Sequence, residues 1–449
     1  MLFAYVSIDS NSLFVIGMRI GLYLFSNDLR VEDNALLRLM SARCGQILFV
    51  YCPLRTFIPS AHGAYPHQHY SKPVRIFTQA TLANLAKQLA AYDHSLYHIE
   101  RFEQLTQLIK TQGVTDIGIA FQHGWEEINR VRTLKQRMEH LTFWHAHNHT
   151  LFSAEQLPFS VSDIPATFSQ FRKKTENSVA IEPTLQKPIA LPKPMHCDLP
   201  TSPLEPSREE LVEPWFNNSA PQALNDYFHT RAASSYKQTR NALHGDKFST
   251  GLSPWLANGS LSARQVYSAL LAYEQRCGAN ESTYWIYFEL LWREYFQWLA
   301  LKQGRTLFLF KGMSDTAPNT SFYPERYQAW CHGNTEFELV NALMHQLNTS
   351  GWMSNRGRQI VASCFVNELE LDWRYGAAYF EHHLIDYDVA SNYGNWQYIA
   401  GVGADPRGGR HFNIAKQSEL FDPDGQFTKR YGGASIEVYE RDHNGWPRH

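Results

Sequence analysis

The stretch RIGLYLFSNDLRVEDNALLRLMSARCGQILFVYC, residues 19–52, decides the fold. It opens with the apolar run RIGLYLF and closes with QILFVYC, and both runs have the length and composition of buried strands. A helical stretch separates the two runs. Strands that are joined through a helix lie parallel in one sheet. The segment therefore predicts the first β-α-β unit of a parallel α/β sheet.

The same alternation continues along the N-terminal part of the chain. Further apolar runs read SLYHI (95–99), DIGIAF (116–121) and TFWHAH (142–147). Between the runs, residues 71–92 and 126–141 carry apolar side chains three and four positions apart, which is the spacing of amphipathic helices. The pattern predicts a doubly wound parallel sheet. Because SNDLRVEDNALL rather than GxGxxG follows the first strand, the usual dinucleotide site is not predicted.

The C-terminal half of the chain differs from the N-terminal part in composition and in predicted secondary structure. Prolines are dense in EPTLQKPIALPKPMHCDLPTSPLEP (182–206), and proline fixes the backbone and removes its donor, so we expect a long extended linker there. Later stretches such as 282–304 are helical and rich in aromatic residues. We therefore predict an N-terminal doubly wound α/β domain and a C-terminal all-α domain. The expected divisions are an extension of uncertain status at 1–18, the α/β domain at 19–150, the linker at 151–220, the helical domain at 221–430 and a polar tail at 431–449.

Composition narrows the classes of function. A chain of 449 residues is long for a single core. The net charge of −2 excludes a protein coated in basic residues, so any nucleic-acid site must be a local groove. The six cysteines have no short paired spacing, which favours neither a zinc module nor disulfides and makes a reducing compartment the default. Asp9 interrupts the apolar N-terminus and no basic region precedes it, so we expect no signal peptide, no membrane anchor and a cytoplasmic location.

A run of small hydroxylated residues in KFSTGLSPWLANGSLS (247–262) ends a loop and opens a helix. Backbone N–H groups and hydroxyls at such a point commonly hold phosphates, which makes Ser249, Thr250 and Ser253 candidate ligands. The alternative is a plain helix N-terminus with Pro254 in the first turn.

The segment YWIYFELLWREYFQWL (284–299) places two charges in an apolar and aromatic helix. Glu289 and Arg293 are four residues apart and share a face, so they must pair or serve a ligand. An intrahelical salt bridge is the simpler of these explanations. Trp292 points to a different face, where its ring could stack on a base.

Two polar groups follow in the last third of the chain. The first group, at the start of a predicted helix, is Asn355, Arg356 and Arg358. The second group, shortly before Trp396, is Asp386, Asp388 and Asn392. Carboxylates this close repel each other unless they face separate partners, such as Arg358 or the polar edge of a heterocycle. The second group also offers hard oxygen ligands, but the glycine and glutamate of a calcium loop are missing, so we expect no metal site.

These residues lie in motifs that closely resemble those of the photolyase and cryptochrome superfamily. The matching blocks occur in the order of the family and extend over most of the chain; they are SNDLRVEDNALL, FSTGLSPWLANGSLS, ELLWREYF, SGWMSNRGRQIVAS, DWRYGAAYFE and LIDYDVASNYGNWQYIAGVGADPR. The segment LPFSVSDIPATFSQFRKKTE (157–176), together with Gln359 and Tyr398, resembles the DASH branch. Duplex-repairing photolyases typically carry Met and Trp at the positions of Gln359 and Tyr398.

The resemblance implies that the helical domain holds FAD in a folded form. Carried over position by position, the phosphates would be held by Tyr236, Ser249, Thr250, Leu252 and Ser253. The rest of the cofactor would be surrounded by Glu289, Arg293, Asn355, Arg358, Asp386, Asp388 and Asn392. Asn392 would face the flavin N5, where Asn rather than Asp is the photolyase-like residue.

The resemblance further implies light-driven repair of cyclobutane pyrimidine dimers by electron transfer from reduced FAD. Glu289 would hydrogen-bond the dimer and Trp292 would stack on it. The expected phosphate contacts are Arg240, Arg356 and Arg410. If Gln359 and Tyr398 stack less well than Met and Trp, the pocket offsets less of the cost of flipping a dimer out of a duplex. We therefore expect preference for single-stranded DNA, with RNA as an open alternative, and a monomeric protein.

Light-driven reduction of the flavin in the family runs through three tryptophans, and two of them are present here as Trp396 and Trp373. The third position falls near Thr320, where the nearest aromatic residues are Phe322 and Tyr323. Tyr323 or another aromatic residue would then have to carry the electron to the surface.

Two expectations remain open from sequence. Methenyltetrahydrofolate is the second chromophore that the resemblance favours, with Glu127 as a candidate contact; the alternative is that Glu127 is an exposed residue in the first turn of a helix. The rival function is a light-signalling flavoprotein with a protein partner and little or no repair.

Overall fold

The computed structural model describes residues 19–54, 70–99, 101–203, 209–404 and 409–432. The predicted extension at 1–18 and residues 433–449 of the predicted tail lie outside these ranges. No helix within the described ranges is long and apolar enough to span a membrane.

The N-terminal part folds as a six-stranded, all-parallel sheet. Its strands are β1 (Ile20–Phe25), β2 (Gln46–Tyr51), β3 (Leu96–His98), β4 (Asp116–Ile119), β5 (Thr142–Trp144) and β6 (Lys193–Pro194). The order β3-β2-β1-β4-β5, with β6 beside β2, is that of a doubly wound sheet. Alternate side chains of β1 enter two separate cores, Leu22 and Leu24 in one and Tyr23 and Phe25 in the other. The fold class predicted from the apolar runs is confirmed.

Helices flank the sheet and form nearly all of the C-terminal part. The first five are α1 (Ala35–Ser41), α2 (Lys72–Ala90), α3 (Gln104–Thr111), α4 (Trp125–Arg137) and α5 (Phe168–Thr175). The others are α6 (Ala220–Phe228), α7 (Tyr236–Thr239), α8 (Ser253–Asn258), α9 (Ala263–Cys277), α10 (Glu281–Gln303), α11 (Pro324–Cys331), α12 (Glu338–Ser350), α13 (Asn355–Ser363), α14 (Trp373–His383), α15 (Val389–Ala400), α16 (Ile414–Phe421) and α17 (Gln426–Tyr431).

The proline-rich segment does more than connect the two parts. Its residues Lys193 and Pro194 form β6, and the N–H of Lys193 donates to the carbonyl of Gly45 at 3.0 Å. Proline has no N–H to donate to a neighbouring strand, so it is tolerated in edge strands. Upstream, the hydroxyl of Tyr92 donates to the carbonyl of Pro188 at 2.8 Å. The segment is therefore fastened to the α/β part, which the expectation of an extended linker did not include.

The SNDLRVEDNALL motif joins the α/β part to the helical part. The Arg30 side chain is buried and its Nη1 donates to the carbonyl of Gly259 at 2.8 Å, in the turn after α8. Gly259 has φ +72°, and a Cβ there would collide with the backbone oxygen of Asn27, so only glycine fits. The carboxylate of Asp33 accepts from the hydroxyl of Ser262 at 2.5 Å and from Nε of Arg264 at 3.2 Å. A motif in one domain thus supplies charged partners to the other.

We predict that Asp33→Asn lowers the free energy of unfolding by about 3–5 kcal/mol, because it leaves the buried Arg264 guanidinium without its counter-ion. Asn tolerates the positive φ of Asp33, so backbone strain does not complicate the comparison. The measurement is a urea titration of both proteins. As a control, Glu209→Gln breaks the exposed pair with Lys72 and should change the stability by about 0–1 kcal/mol. Equal effects of the two substitutions would contradict the docking role of Asp33.

Candidate functional site

A buried carboxylate, Asp386, lies where α8, α13 and α15 meet. It precedes α15 and accepts from Nη2 of Arg358 on α13 at 2.8 Å. The hydroxyl of Ser253, the first residue of α8, donates to the same carboxylate oxygen at 2.6 Å. Nε of Arg358 is held by the carbonyl of Met353 at 2.9 Å. Arg358, Asp386 and Ser253, which the sequence pattern singled out separately, are therefore in direct contact.

The second carboxylate, Asp388, faces a different set of partners. Its Oδ1 accepts from Nε2 of Gln297 at 2.7 Å and from the backbone N–H of Ser391 at 2.7 Å. Its Oδ2 lies 3.2 Å from Nε2 of His149, and Arg293 in turn holds His149 by the backbone carbonyl and the ring. Burial alone would raise the pKa of Asp388, but the contact with His149, the charge of Arg293 and the Ser391 N–H hold it well below its usual range. Asp388 is therefore ionised, and the two carboxylates avoid mutual repulsion.

Asn392 lies one turn into α15 and is almost entirely buried. Its side-chain amide donates to the carbonyl of Ala377 on α14 at 2.9 Å, which fixes its orientation. This bond uses one amide proton, so the remaining amide atoms of Asn392 are left to face a ligand or the protein interior.

The donor and acceptor set around Asp386 fits FAD. Oδ1 of Asp386 is buried without a hydrogen-bond partner among the described residues, although its other oxygen has two. Nε1 of Trp396 is orphaned in the same way within the described part of the chain. Buried polar atoms are nearly always paired, so such orphans mark a place for a polar ligand or water. A flavin nucleotide offers N–H, hydroxyl and carbonyl groups of the right kind.

The residues predicted to bind the FAD phosphates differ in how deeply they are buried. The segment before α8 contributes Ser249 and Thr250, both half-buried, and Leu252, which is buried. Tyr236 is buried at the start of α7, and burial raises the pKa of its hydroxyl. Asn355 is exposed as the first residue of α13, so the structure does not bring its side chain into the buried cluster with Asp386.

Glu289 does not form the intrahelical pair with Arg293 that the sequence favoured. Its carboxylate contacts Nη1 of Arg240, which follows α7, while Arg293 turns toward His149. The Arg240 guanidinium also lies 4.7 Å from the Trp285 ring centre. Burial raises the pKa of Glu289, and the ion pair with Arg240 offsets part of that shift. The interpretation as an i, i+4 salt bridge was wrong because a long-range partner competes for Glu289.

Aromatic and basic side chains continue from Glu289 along one rim. Trp292 stacks on Phe168 with 3.8 Å between ring centres and meets Tyr398 edge-on at 6.2 Å. The hydroxyl of Tyr398 accepts from Nη2 of Arg410 at 2.6 Å. One face of the Trp292 ring is therefore already covered by Phe168.

Arg356 lies near Arg240 at the other end of this rim. Burial and the charge of Arg240 lower the pKa of Arg356, and its guanidinium packs 4.9 Å from the ring of Phe421. Gln359 is half-buried one turn further along α13. Arg240 thus contacts Glu289, Tyr398 contacts both Trp292 and Arg410, and Arg356 lies close enough to Arg240 for the charge of Arg240 to lower its pKa. We call the predicted nucleic-acid residues together with Glu289 the arginine rim, which is defined as Arg240, Glu289, Trp292, Arg356, Gln359, Tyr398 and Arg410.

Trp396 and Trp373 are both buried in the same core. A Cβ at Gly376 would collide with the indole of Trp396, so glycine leaves room for that ring. Trp396 also meets Trp330 edge-on at 6.2 Å between ring centres and Phe380 at 5.2 Å. Trp330 was not singled out from sequence, since a lone tryptophan in a helix carries no pattern.

The segment where a third tryptophan is expected does run beside the start of α14. The N–H of Asp372, next to Trp373, donates to the carbonyl of Ser321 at 2.7 Å. The aromatic residues of this segment pack against side chains other than Trp373, however. Phe322 stacks on Tyr375 at 4.2 Å, and Tyr323 packs against the guanidinium of Arg326 at 4.4 Å.

Glu127 is buried rather than exposed, which corrects the simpler expectation. It is in the first turn of α4, where a carboxylate is favoured by the helix dipole. A Cβ at Gly124 would collide with this carboxylate and contact Val389 of α15, so Glu127 lies at the junction of the two domains.

Sequence reasoning missed His149 and Gln297, although both contact Asp388. His149 follows β5, and residues after parallel strands gather at the carboxyl edge of a sheet, so its position carried a signal. Gln297 lies one turn after Arg293 on the same face of α10, where a polar residue in an apolar helix was the available clue.

Comparisons with known proteins agree with this geometry. Residues 21–193 match the family model described as DNA photolyase, and residues 285–438 match the FAD binding domain of DNA photolyase. A cryptochrome DASH of Idiomarina loihiensis is 48% identical over 92% of this chain and 93% of its own length. A cryptochrome DASH of Vibrio parahaemolyticus is 43% identical over 96% of this chain and 97% of its own.

The fold is also shared with a solved structure. A Synechocystis cryptochrome superposes with a TM-score of 0.83 at 34% identity, covering 92% of this chain and 88% of that one. The helical part, with its paired buried carboxylates, corresponds to the matched FAD-binding domain. The chain therefore belongs to the photolyase and cryptochrome superfamily, in its DASH cryptochrome branch.

Proposed function

We propose that the chain repairs cyclobutane pyrimidine dimers under blue light, with FAD as its cofactor and single-stranded DNA as its preferred substrate. The observation that carries the proposal is the arginine rim, where a carboxyl group contacts one guanidinium group and an indole contacts a phenol that is bound to another. Arginines of this kind bind phosphates without sequence preference.

FAD supplies the chemistry when it is bound, because its reduced form donates an electron on excitation by light. Arg358, Asp386 and Ser253 would hold the cofactor through the orphaned oxygen of Asp386. Asp388 stays ionised and orients α15 through the N–H of Ser391. Asn392 is held by the carbonyl of Ala377, and its remaining amide atoms would contact the flavin ring.

At the substrate, Glu289 and Trp292 take separate roles. Burial raises the pKa of Glu289, and in its protonated form the carboxyl group can donate to a pyrimidine carbonyl and accept from an N–H at the same time. Such a bond strengthens when negative charge develops on the dimer. Trp292, backed by Phe168, offers its other face for stacking.

The preference for single strands follows from the stacking surface. A dimer must leave the helix to reach the site, which costs a few kcal/mol in a duplex and much less in a single strand. The hydroxyl of Tyr398 is tied to Arg410, and Gln359 is polar, so this part of the rim offers less apolar stacking than Trp and Met would. If the weaker stacking stabilises the flipped dimer by about 1.4 kcal/mol less, the equilibrium population of the flipped dimer falls tenfold.

We also propose methenyltetrahydrofolate as the second chromophore. The buried Glu127 supports this assignment, because its carboxylate lies at the junction between α4 and α15 where a ligand could lodge between the domains. Heat release of the chromophore and its fluorescence spectrum would identify it.

The first experiment compares repair of a defined thymine dimer in single-stranded and duplex oligonucleotides under blue light, with chemically reduced flavin. We expect single-stranded repair to be at least about tenfold faster at subsaturating substrate. The double variant Gln359→Met/Tyr398→Trp should narrow the difference by accelerating duplex repair. Equal rates on the two substrates would refute the strand preference, and no turnover of either would refute the repair function and favour signalling.

The second experiment tests Glu289. We expect Glu289→Ala to slow repair roughly 100-fold, because it removes a hydrogen-bond donor to the negative charge that develops on the dimer. In the unaltered protein, repair should decline as pH rises through the raised pKa of Glu289, since the donor proton is lost. Glu289→Gln keeps an N–H donor at every pH, so its repair rate should depend less on pH.

Glu281→Gln is a matched control on the same helix, because Glu281 is exposed and pairs with Lys237 outside the rim. Its repair rate should equal that of the unaltered protein. A pH profile that is the same in Glu289→Gln and in the unaltered protein would contradict the role of the Glu289 proton.

A further inference from the structure

The route that feeds electrons into the site has no evident end at the surface. Trp373 is fully buried, and its Nε1–H donates to the carbonyl of Phe310 at 2.9 Å. An external reductant cannot reach a buried indole directly. Tyr323, expected from sequence as a substitute for the third tryptophan, is 41% exposed but packs on Arg326 rather than on Trp373.

Tyr393 has the geometry that Tyr323 lacks. It is on α15, three residues before Trp396, so the two side chains are neighbours on the helix. Its ring meets that of Trp373 edge-on, with 6.2 Å between centres and an angle of 78°. Tyr393 therefore contacts the Trp373 ring and lies one helical turn before Trp396.

The hydroxyl of Tyr393 also has a base beside it. It donates to Oε2 of Glu381 on α14 at 3.4 Å, and both residues are partly exposed to solvent. A phenol that loses an electron becomes a strong acid, so its oxidation is easiest when a neighbouring group accepts the proton at once. A carboxylate at hydrogen-bond distance is such an acceptor.

We propose that Tyr393 is the terminal electron donor of this chain and that Glu381 accepts its phenolic proton; the proposal rests on the proposed photochemical function. One electron passes from Trp396 to the excited flavin, which is the oxidant. Trp373 refills Trp396, and Tyr393 refills Trp373. The phenolic proton moves to Glu381, which leaves a neutral tyrosyl radical and a protonated carboxyl group. A thiol then gives one hydrogen atom to Tyr393, and Glu381 releases its proton to solvent.

Two other tyrosines near the route have hydroxyl partners of a different kind. The hydroxyl of Tyr379 donates to the amide oxygen of Asn348 at 2.6 Å, and an amide is too weak a base to take the proton. The hydroxyl of Tyr398 accepts from Arg410, whose positive charge opposes oxidation of the phenol. The assignment to Tyr393 therefore depends on the pairing of a ring contact with a carboxylate.

The test is electron paramagnetic resonance of the FAD-loaded full chain, illuminated without thiol and frozen. We expect a neutral tyrosyl signal in the unaltered protein and its loss in Tyr393→Phe, with a tryptophanyl signal in its place. Glu381→Gln should lose the tyrosyl signal at neutral pH and regain it at high pH, where solvent base replaces the carboxylate. Trp396→Phe, at the inner end of the route, should lose both signals.

Tyr375→Phe is the matched control, since Tyr375 is two residues from Trp373 and stacks on Phe322; the tyrosyl signal should persist in it. A tyrosyl signal that survives in Tyr393→Phe, or its absence from the unaltered protein, would overturn the proposal. Loss of the signal in Tyr323→Phe would assign the role to Tyr323 instead. Dimer repair after chemical reduction needs no electron from Tyr393, so it tests the proposed function separately and should be unchanged in Tyr393→Phe.

Discussion

The structure depends on an ionised and largely buried carboxylate that has partners in both domains. Asp388 begins the helix that carries Asn392 and Trp396, yet one of its partners, His149, follows strand β5 of the α/β domain. Another partner, Gln297, comes from α10, where Arg293 holds His149 in place. An isolated charge in this position would be very costly, so these partners must all be in place together. The position of α15 is thus coupled to the docking of the sheet.

The same coupling appears in the motif that follows the first strand. The buried Arg30 donates to the carbonyl of Gly259, immediately after α8. The carboxylate of Asp33 accepts from Ser262 and Arg264, which follow in the chain. Because α8 begins with Ser253, docking of the α/β domain fixes the end of a helix whose first residue holds the Asp386 carboxylate. The N-terminal domain therefore positions residues that we propose to bind FAD, even though it supplies few of them.

Much of this could be read from sequence, and the reasons for the failures are physical. The five strands from β1 to β5 were predicted because a buried parallel strand is a short apolar run. Arg358 was named as one example of a partner for the two close carboxylates, since these need separate partners, and the structure assigns it to Asp386. The partner of Glu289 was not anticipated, since Arg240 is 49 positions away and no pattern within one helix reveals it. The burial of Glu127 was not predicted either, since residues distant in sequence, such as Val389, pack beside the start of its helix.

The central claim is that the helical half binds FAD beside the Asp386 carboxylate. The most direct measurement is titration of the FAD-free, folded chain with FAD, followed by absorption and by circular dichroism of the protein. The account predicts one FAD per chain, with visible flavin absorption, and markedly weaker binding in Asp386→Ala. A chain that is demonstrably folded and yet binds no FAD, or binds it equally well without the Asp386 carboxylate, would contradict it.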